Sequence, residues 1–162
     1  MKTLPERRRV QLLSAGVTLV AALVGLGLQR SFPFGTISLS AAQPGIALEG
    51  FSGLEPFGRW TDGDVARVRF AQPLPRHFTL RFRGHAYAGN PDKSVDIHVG
   101  GVHRASVTLT PFDADYSVDL ESAWLANDVE FMIHNAQSPK AIGESADSRR
   151  LGVAFSHIEV VP

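Results

Sequence analysis

Apolar and polar residues alternate with a period of two along most of this chain, the spacing that puts one face of a β-strand on a core and the other in water. Ala66, Val68 and Phe70 alternate with Arg67 and Arg69; Phe78, Leu80 and Phe82 alternate with Thr79, Arg81 and Arg83; Val95, Ile97 and Val99 alternate with Asp96 and His98. The same rhythm carries Tyr116, Val118 and Leu120, then Val129, Phe131 and Ile133, while Val107 and Leu109 flank Thr108. The last run, Leu151, Val153 and Phe155, changes phase to Ile158 and Val160, which predicts a β-bulge at Ser156-His157. Turn-forming clusters separate the runs: Gln72-Pro73-Leu74-Pro75, Gly89-Asn90-Pro91-Asp92, Gly100-Gly101, Thr110-Pro111 and Asn127-Asp128. Gln137–Ser148 is the longest irregular stretch, with room for one helical turn. About eight or nine short strands with one apolar face each predict an all-β, two-layer, jelly-roll-like sandwich.

The N-terminal part breaks this rhythm. Val10–Leu28 contains no charged residue and is dominated by Leu, Val, Ala and Gly. As a helix, about 19 residues span roughly 28 Å, close to the hydrocarbon thickness of a bilayer. Arg7, Arg8 and Arg9 precede the run and only Arg30 follows it closely, so the positive-inside rule leaves the N-terminus in the cytoplasm. The expected organisation is a basic tail over 1–9, one transmembrane helix over 10–28, a linker and first edge strand over 29–45, and a sandwich domain over 46–162 on the far side of the membrane. A cleaved signal peptide is the competing reading. Its apolar region normally runs about 7–15 residues, and the nearest small-residue site, Ser40-Ala41-Ala42, lies far downstream.

Charge narrows the function. The 162 residues carry 16 basic and 16 acidic side chains, but Met1–Arg30 holds five of the basic ones and a single acid. The remainder is acidic by about four charges, which argues against a nucleic-acid surface. No cysteine is present, excluding disulfides and thiolate chemistry. His77, His85, His98, His103, His134 and His157 are scattered without metal-ligand spacing. Asp62-x-Asp64 and Asp113-x-Asp115 read more simply as turn acids than as calcium ligands. No serine sits in a nucleophile elbow, and Gly100-Gly101 is followed by no helix that would make it a phosphate loop. No cofactor and no catalytic residue are expected.

The densest chemistry lies in Gly50-Phe51-Ser52-Gly53-Leu54-Glu55-Pro56-Phe57-Gly58-Arg59-Trp60-Thr61-Asp62-Gly63. Its glycines and proline fix a structured loop that enters a strand. Aromatic faces stack on sugar rings while Asp, Asn and Arg pair with hydroxyls, so Glu55, Arg59, Trp60, Asp62, Tyr87 and Asn90 are the candidate ligand-binding residues, with His85 and Asn135 of suitable type. Two of them have a plainer reading: Trp60 as a core or rim packing residue, Arg59 as an ion-pair partner of Asp62 or Glu55. Trp124, in Ser122-Ala123-Trp124-Leu125, is expected to pack.

Several separated stretches also resemble a known family. The Gly50–Gly63 segment, Pro73-Leu74-Pro75-Arg76-His77-Phe78-Thr79-Leu80, Ala86-Tyr87-Ala88-Gly89-Asn90, Val95-Asp96-Ile97-His98-Val99-Gly100 and Arg149-Arg150-Leu151-Gly152-Val153-Ala154-Phe155 are similar, in order, to the C-terminal domain of bacterial phosphoglycerol transferase I. Phe57 stands where that family is expected to have Trp. The family decorates osmoregulated periplasmic glucans with phosphoglycerol through a separate alkaline-phosphatase-like domain, and no stretch of this chain matches its catalytic motif. The resemblance therefore implies an accessory sandwich domain without its catalytic partner; together with the expected Val10–Leu28 anchor, this reads as a non-catalytic periplasmic module held in the bacterial inner membrane. It implies as partners a periplasmic glucan or other envelope glycan, or a membrane glycan-modifying enzyme. The alternative is a structural or protein-interaction domain with no small ligand.

Overall fold

A computed structural model describes residues 36–39 and 43–162. The expected transmembrane helix lies outside these residues. The described chain forms β1 (Thr36–Ser38), β2 (Ile46–Glu49), β3 (Arg59–Asp62), β4 (Val65–Phe70), β5 (His77–Ala86), β6 (Ser94–Val99), β7 (Val102–Thr108), β8 (Ala114–Glu121), β9 (Asp128–Ile133) and β10 (Leu151–Val161). They build two five-stranded sheets. The first runs β1-β10-β5-β8, with β3 also paired to β10; the second runs β2-β4-β9-β6-β7. Every pairing is antiparallel. The expected two-layer all-β sandwich is what the described residues form, and among them no segment is an α-helix.

Period-two alternation fills the space between the sheets. Phe82 of β5, Phe131 of β9 and Phe155 of β10 are fully buried, with ring centroids 4.8 Å (Phe131–Phe155), 5.6 Å (Phe82–Phe155) and 5.8 Å (Phe82–Phe131) apart. Burying each phenyl ring contributes about 2–3 kcal/mol. On the outer faces the alternating charges pair across strands. Thr79 donates to Asp119 at 2.7 Å, Arg83 meets Asp113 and Asp115, and Arg67 reaches Glu49 and Glu130. Such exposed pairs add little stability, but they fix register.

The bulge inferred from the phase change is present: the register of β10 against β5 shifts between Phe155 and His157. The two halves of β10 also have different partners on the opposite edge. Leu151–Phe155 pairs with β3, and His157–Glu159 pairs with β1. A second shift falls between Leu151 and Ala154, where the Val153 N–H donates to the buried Thr61 hydroxyl at 3.0 Å instead of to a backbone carbonyl.

One expectation is corrected here. Trp124 does not pack: it is 89% exposed, because it occupies a turn between β8 and β9 that projects from the end of the sandwich. The irregular stretch beyond Gln137 does contain a single helical turn, closed by the Ile142 N–H donating to the Ser138 carbonyl at 3.1 Å.

Candidate functional site

A strand sends successive side chains to opposite faces, so Arg59 and Trp60 cannot share a surface. Trp60 turns to the outer face of the first sheet. It lies in one cross-strand row with Ala154 of β10 and His85 of β5. Ala154 is buried although it faces outward, because the two rings on either side of it lean together, their centroids 5.3 Å apart and near perpendicular. Tyr87, two residues beyond His85 on the same face, stands 6.0 Å from Trp60 at 88°. Phe57, from the loop that leads into β3, stands 5.9 Å away at 76° and is 40% exposed. Trp60 is therefore the hub of a cluster whose other rings rise around it as walls, the edge-to-face arrangement that aromatic quadrupoles prefer.

The backbone under this cluster is tightly specified. Gly58 has φ 143°, and a Cβ there would overlap the Phe155 carbonyl oxygen, so glycine lets β3 lie against β10 and brings Trp60 into place. The β2–β3 loop that carries Phe57 is anchored from the other side: Arg149 donates to Glu55 at 2.7 Å while its remaining nitrogens clasp Asp147. That pairing with two carboxylates raises the Arg149 pKa and lowers that of Asp147 below the usual carboxylate range. The β9–β10 loop that supplies Arg149 is closed at its neck by reciprocal hydrogen bonds between Gln137 and Leu151. It also supplies Glu144, which accepts a hydrogen bond from the Tyr87 hydroxyl. Desolvation of the phenol, then this hydrogen bond, pushes the Tyr87 pKa up to about 12, so Tyr87 stays neutral and donating.

Polar groups continue along the same face. His85 Nδ1 is 4.0 Å from Asp113 Oδ1, and Arg83 Nε donates to Asp113 Oδ2 at 2.6 Å. A charged pair thus adjoins the aromatic walls, and its donors and acceptors lie where a polyhydroxylated ligand on the rings would meet them.

The six candidate residues take separate places. Trp60 and Tyr87 come together in the cluster. Glu55 braces the loop through Arg149. Asp62 is exposed at the end of β3 and accepts the Arg150 backbone N–H at 2.9 Å. Asn90 is 2% exposed; its oxygen accepts the Gln137 N–H at 2.9 Å and its amide donates to the Gly152 carbonyl at 3.3 Å, so it ties the β5–β6 loop to the β9–β10 loop and to the start of β10 beneath the surface. Arg59 pairs with neither Asp62 nor Glu55. It donates to the Ser52 carbonyl at 2.9 Å inside a crevice of about 270 Å³ lined by Ile37, Ile46, Leu48 and Phe51, where its Nε is buried without a hydrogen-bond partner. Ser38 and Gln43 add polar groups to the lining of that crevice. Asn135 adopts φ 58° in an exposed turn, a conformation that Asn tolerates. Asp64 is held by Arg150 through both carboxylate oxygens, in keeping with a structural role for the turn acids. Glu144 and Arg149 were not singled out as site residues, since no local signal marks a loop residue that reaches back more than fifty positions in sequence.

Residues 38–162 match the family described as Domain of unknown function (DUF7024). The chain belongs to this family. The DUF7024 domain is also similar to phosphoglycerol transferase I of Escherichia coli strain 536, at 27% identity over 122 residues. It is 26% identical to the enzyme of the same name from Shigella boydii serotype 18. The match covers 68% of this chain and 15% of the relative, so the resemblance read from the sequence holds, and it concerns a small part of a much longer protein. Among solved structures, the domain is similar in fold to a variant of a family 29 carbohydrate-binding module complexed with mannohexaose, with a TM-score of 0.52 and 12% identity over 78% of this chain and 90% of that one. A second variant of the same module gives a TM-score of 0.51 at 11% identity, over 77% of this chain and 84% of that one.

Proposed function

We propose that this protein is a non-catalytic, membrane-anchored glycan-binding module of the bacterial envelope. Its jelly-roll-like sandwich faces the periplasm, with Val10–Leu28 spanning the inner membrane. The observation that carries the reading is the Trp60 cluster: an outward-facing tryptophan ringed by Phe57, Tyr87 and His85 on a rigid sheet, beside the Arg83–Asp113 pair. Apolar faces of sugar rings pack on aromatic walls, and their hydroxyls exchange hydrogen bonds with neighbouring charged groups. The similarity to phosphoglycerol transferase I and the shared fold with a carbohydrate-binding module support this reading. A periplasmic glucan is the ligand class to try first. In the cell the module would present this glycan to a membrane glycan-modifying enzyme.

The indole N–H resonances test the site directly. In a labelled sample, added periplasmic glucan shifts the Trp60 indole signal in a saturable way and leaves that of Trp124 unmoved. A shift of neither signal at any glucan concentration sinks the assignment of this face.

A further inference from the structure

At the far end of the first sheet from the aromatic cluster, two large apolar side chains stand in water. His77 lies eight residues along β5 from His85, about 27 Å at strand rise, and pairs with Glu121, where β8 ends. The chain then turns through Ala123-Trp124-Leu125-Ala126, closed by the Ala126 N–H donating to the Ala123 carbonyl at 3.2 Å. Trp124 is 89% exposed and Leu125 66%. Leu125 has φ 66°, at a turn position that favours Gly or Asn and strains a branched side chain. Leu125 is not among the described side chains packed against the core, so no core contact offsets that choice.

The turn is held from behind. Leu74 N–H donates to the Ala126 carbonyl at 2.7 Å, Ser122 Oγ donates to the Pro75 carbonyl at 2.9 Å, and Asn127 Nδ2 donates to the Phe70 carbonyl at 3.0 Å. Trp124 and Leu125 therefore sit on a fixed mount. Val102, also exposed, follows the neighbouring β6–β7 turn, where the Gly100 N–H donates to the Asp128 carbonyl.

What covers this tip follows from its size, its chemistry and the chain's point of entry. Two or three side chains fall well short of the roughly 800 Å² per partner that a stable protein interface buries. They suit shallow insertion at a bilayer surface, where tryptophan settles at headgroup depth. Ser122–Asn127 carries no charge that would oppose insertion, and the loop beneath ends in the exposed Arg76. The first described strand runs away from this tip: Thr36 pairs with Glu159 beside Arg81, midway between His77 and His85, and Ser38 pairs with His157 beside Arg83, nearer the aromatic cluster. Seven residues separate Leu28 from Thr36 in sequence, a reach of at most about 25 Å.

We infer that the Trp124-Leu125 turn docks on the lipid surface that holds the Val10–Leu28 segment, resting one end of the sandwich on the bilayer. This inference rests on the membrane-anchored reading above. Docking keeps the Trp60 face clear of the headgroups and open sideways to the envelope.

Trp60 and Trp124 are the two tryptophans of the chain, so single-tryptophan variants separate them. The full chain is reconstituted in phosphatidylcholine–phosphatidylglycerol vesicles with brominated acyl chains, as Trp60→Phe and as Trp124→Phe. Flotation reports the anchor and bromine quenching reports the docking. The expected result is that both variants float, that Trp124 loses most of its emission, and that Trp60 keeps its own. Flotation with Trp124 unquenched and open to aqueous iodide overturns the docking while the anchor stands. Trp124 shielded from both quenchers means that a protein surface covers it, which also overturns the proposal. Quenching of Trp124 in a chain that floats only at low salt keeps the docking and removes the anchor.

Discussion

At the scale of single residues, the two sides of β3 separate binding from stability. Trp60 covers Ala154 and contacts three rings, yet it faces outward. Trp60→Ala is expected to lower the glucan association constant at least about tenfold, as loss of an aromatic anchor does, with a loss of stability of about 1–2 kcal/mol from its half-buried ring. Asn90→Ala should behave in the opposite way. Its buried amide and carbonyl each satisfy a backbone partner, so the substitution leaves buried groups unpaired and costs about 2–3 kcal/mol, read from the midpoint of urea unfolding. Asn90 looked like a binding residue because turn asparagines and ligand-binding asparagines are alike in sequence, and only the loop packing above it decides. That Arg59 and Trp60 face opposite ways, by contrast, follows from period two alone. Gly58→Ala forces a Cβ into the Phe155 carbonyl, and about 2 kcal/mol or more of stability goes with it.

At the scale of elements, the strands and the bulge of β10 could be read locally, because alternation and its change of phase are local signals. The pairings could not. Trp60 meets Ala154 across more than ninety positions, and two short strands share one edge of β10, which no local pattern encodes. The turn that carries Trp124 was misread for a related reason: a tryptophan in a turn is apolar in sequence whether the turn folds inward or projects. Leu125→Gly is expected to leave the thermal midpoint unchanged or raised, since glycine accepts φ 66° without strain, while it weakens vesicle docking. Acid should loosen particular contacts first, the Asp96–Ser106 cross-strand pair and the Asp147–Arg149 loop pair. The Ser106 hydroxyl and then His134 hold the Asp96 pKa below the usual carboxylate range, and Arg149 does the same for Asp147. Carboxylates with depressed folded pKa values add stability that is present above their unfolded pKa and lost as pH falls through the folded value. The thermal midpoint should therefore hold steady from neutral pH to about pH 5 and fall below about pH 4. Asp96→Asn and Asp147→Asn should each flatten that acid limb.

At the scale of the whole molecule, the two ends of the first sheet divide the work. One carries the aromatic cluster, braced by Arg149 and Glu55, and the other carries the exposed Trp124-Leu125 turn. The central claim is that the aromatic face holds a glycan. The most direct measurement is calorimetric titration of the full chain, in a detergent without a sugar headgroup, with periplasmic glucans that carry or lack phosphoglycerol. Trp60→Ala and Arg59→Ala serve as paired variants. The account predicts saturable heat with the native chain, its loss in folded Trp60→Ala, and its retention in Arg59→Ala, whose side chain lies in the crevice on the other face. Heat that survives Trp60→Ala and vanishes with Arg59→Ala would move the site to the crevice, and no heat with any glucan would contradict the account.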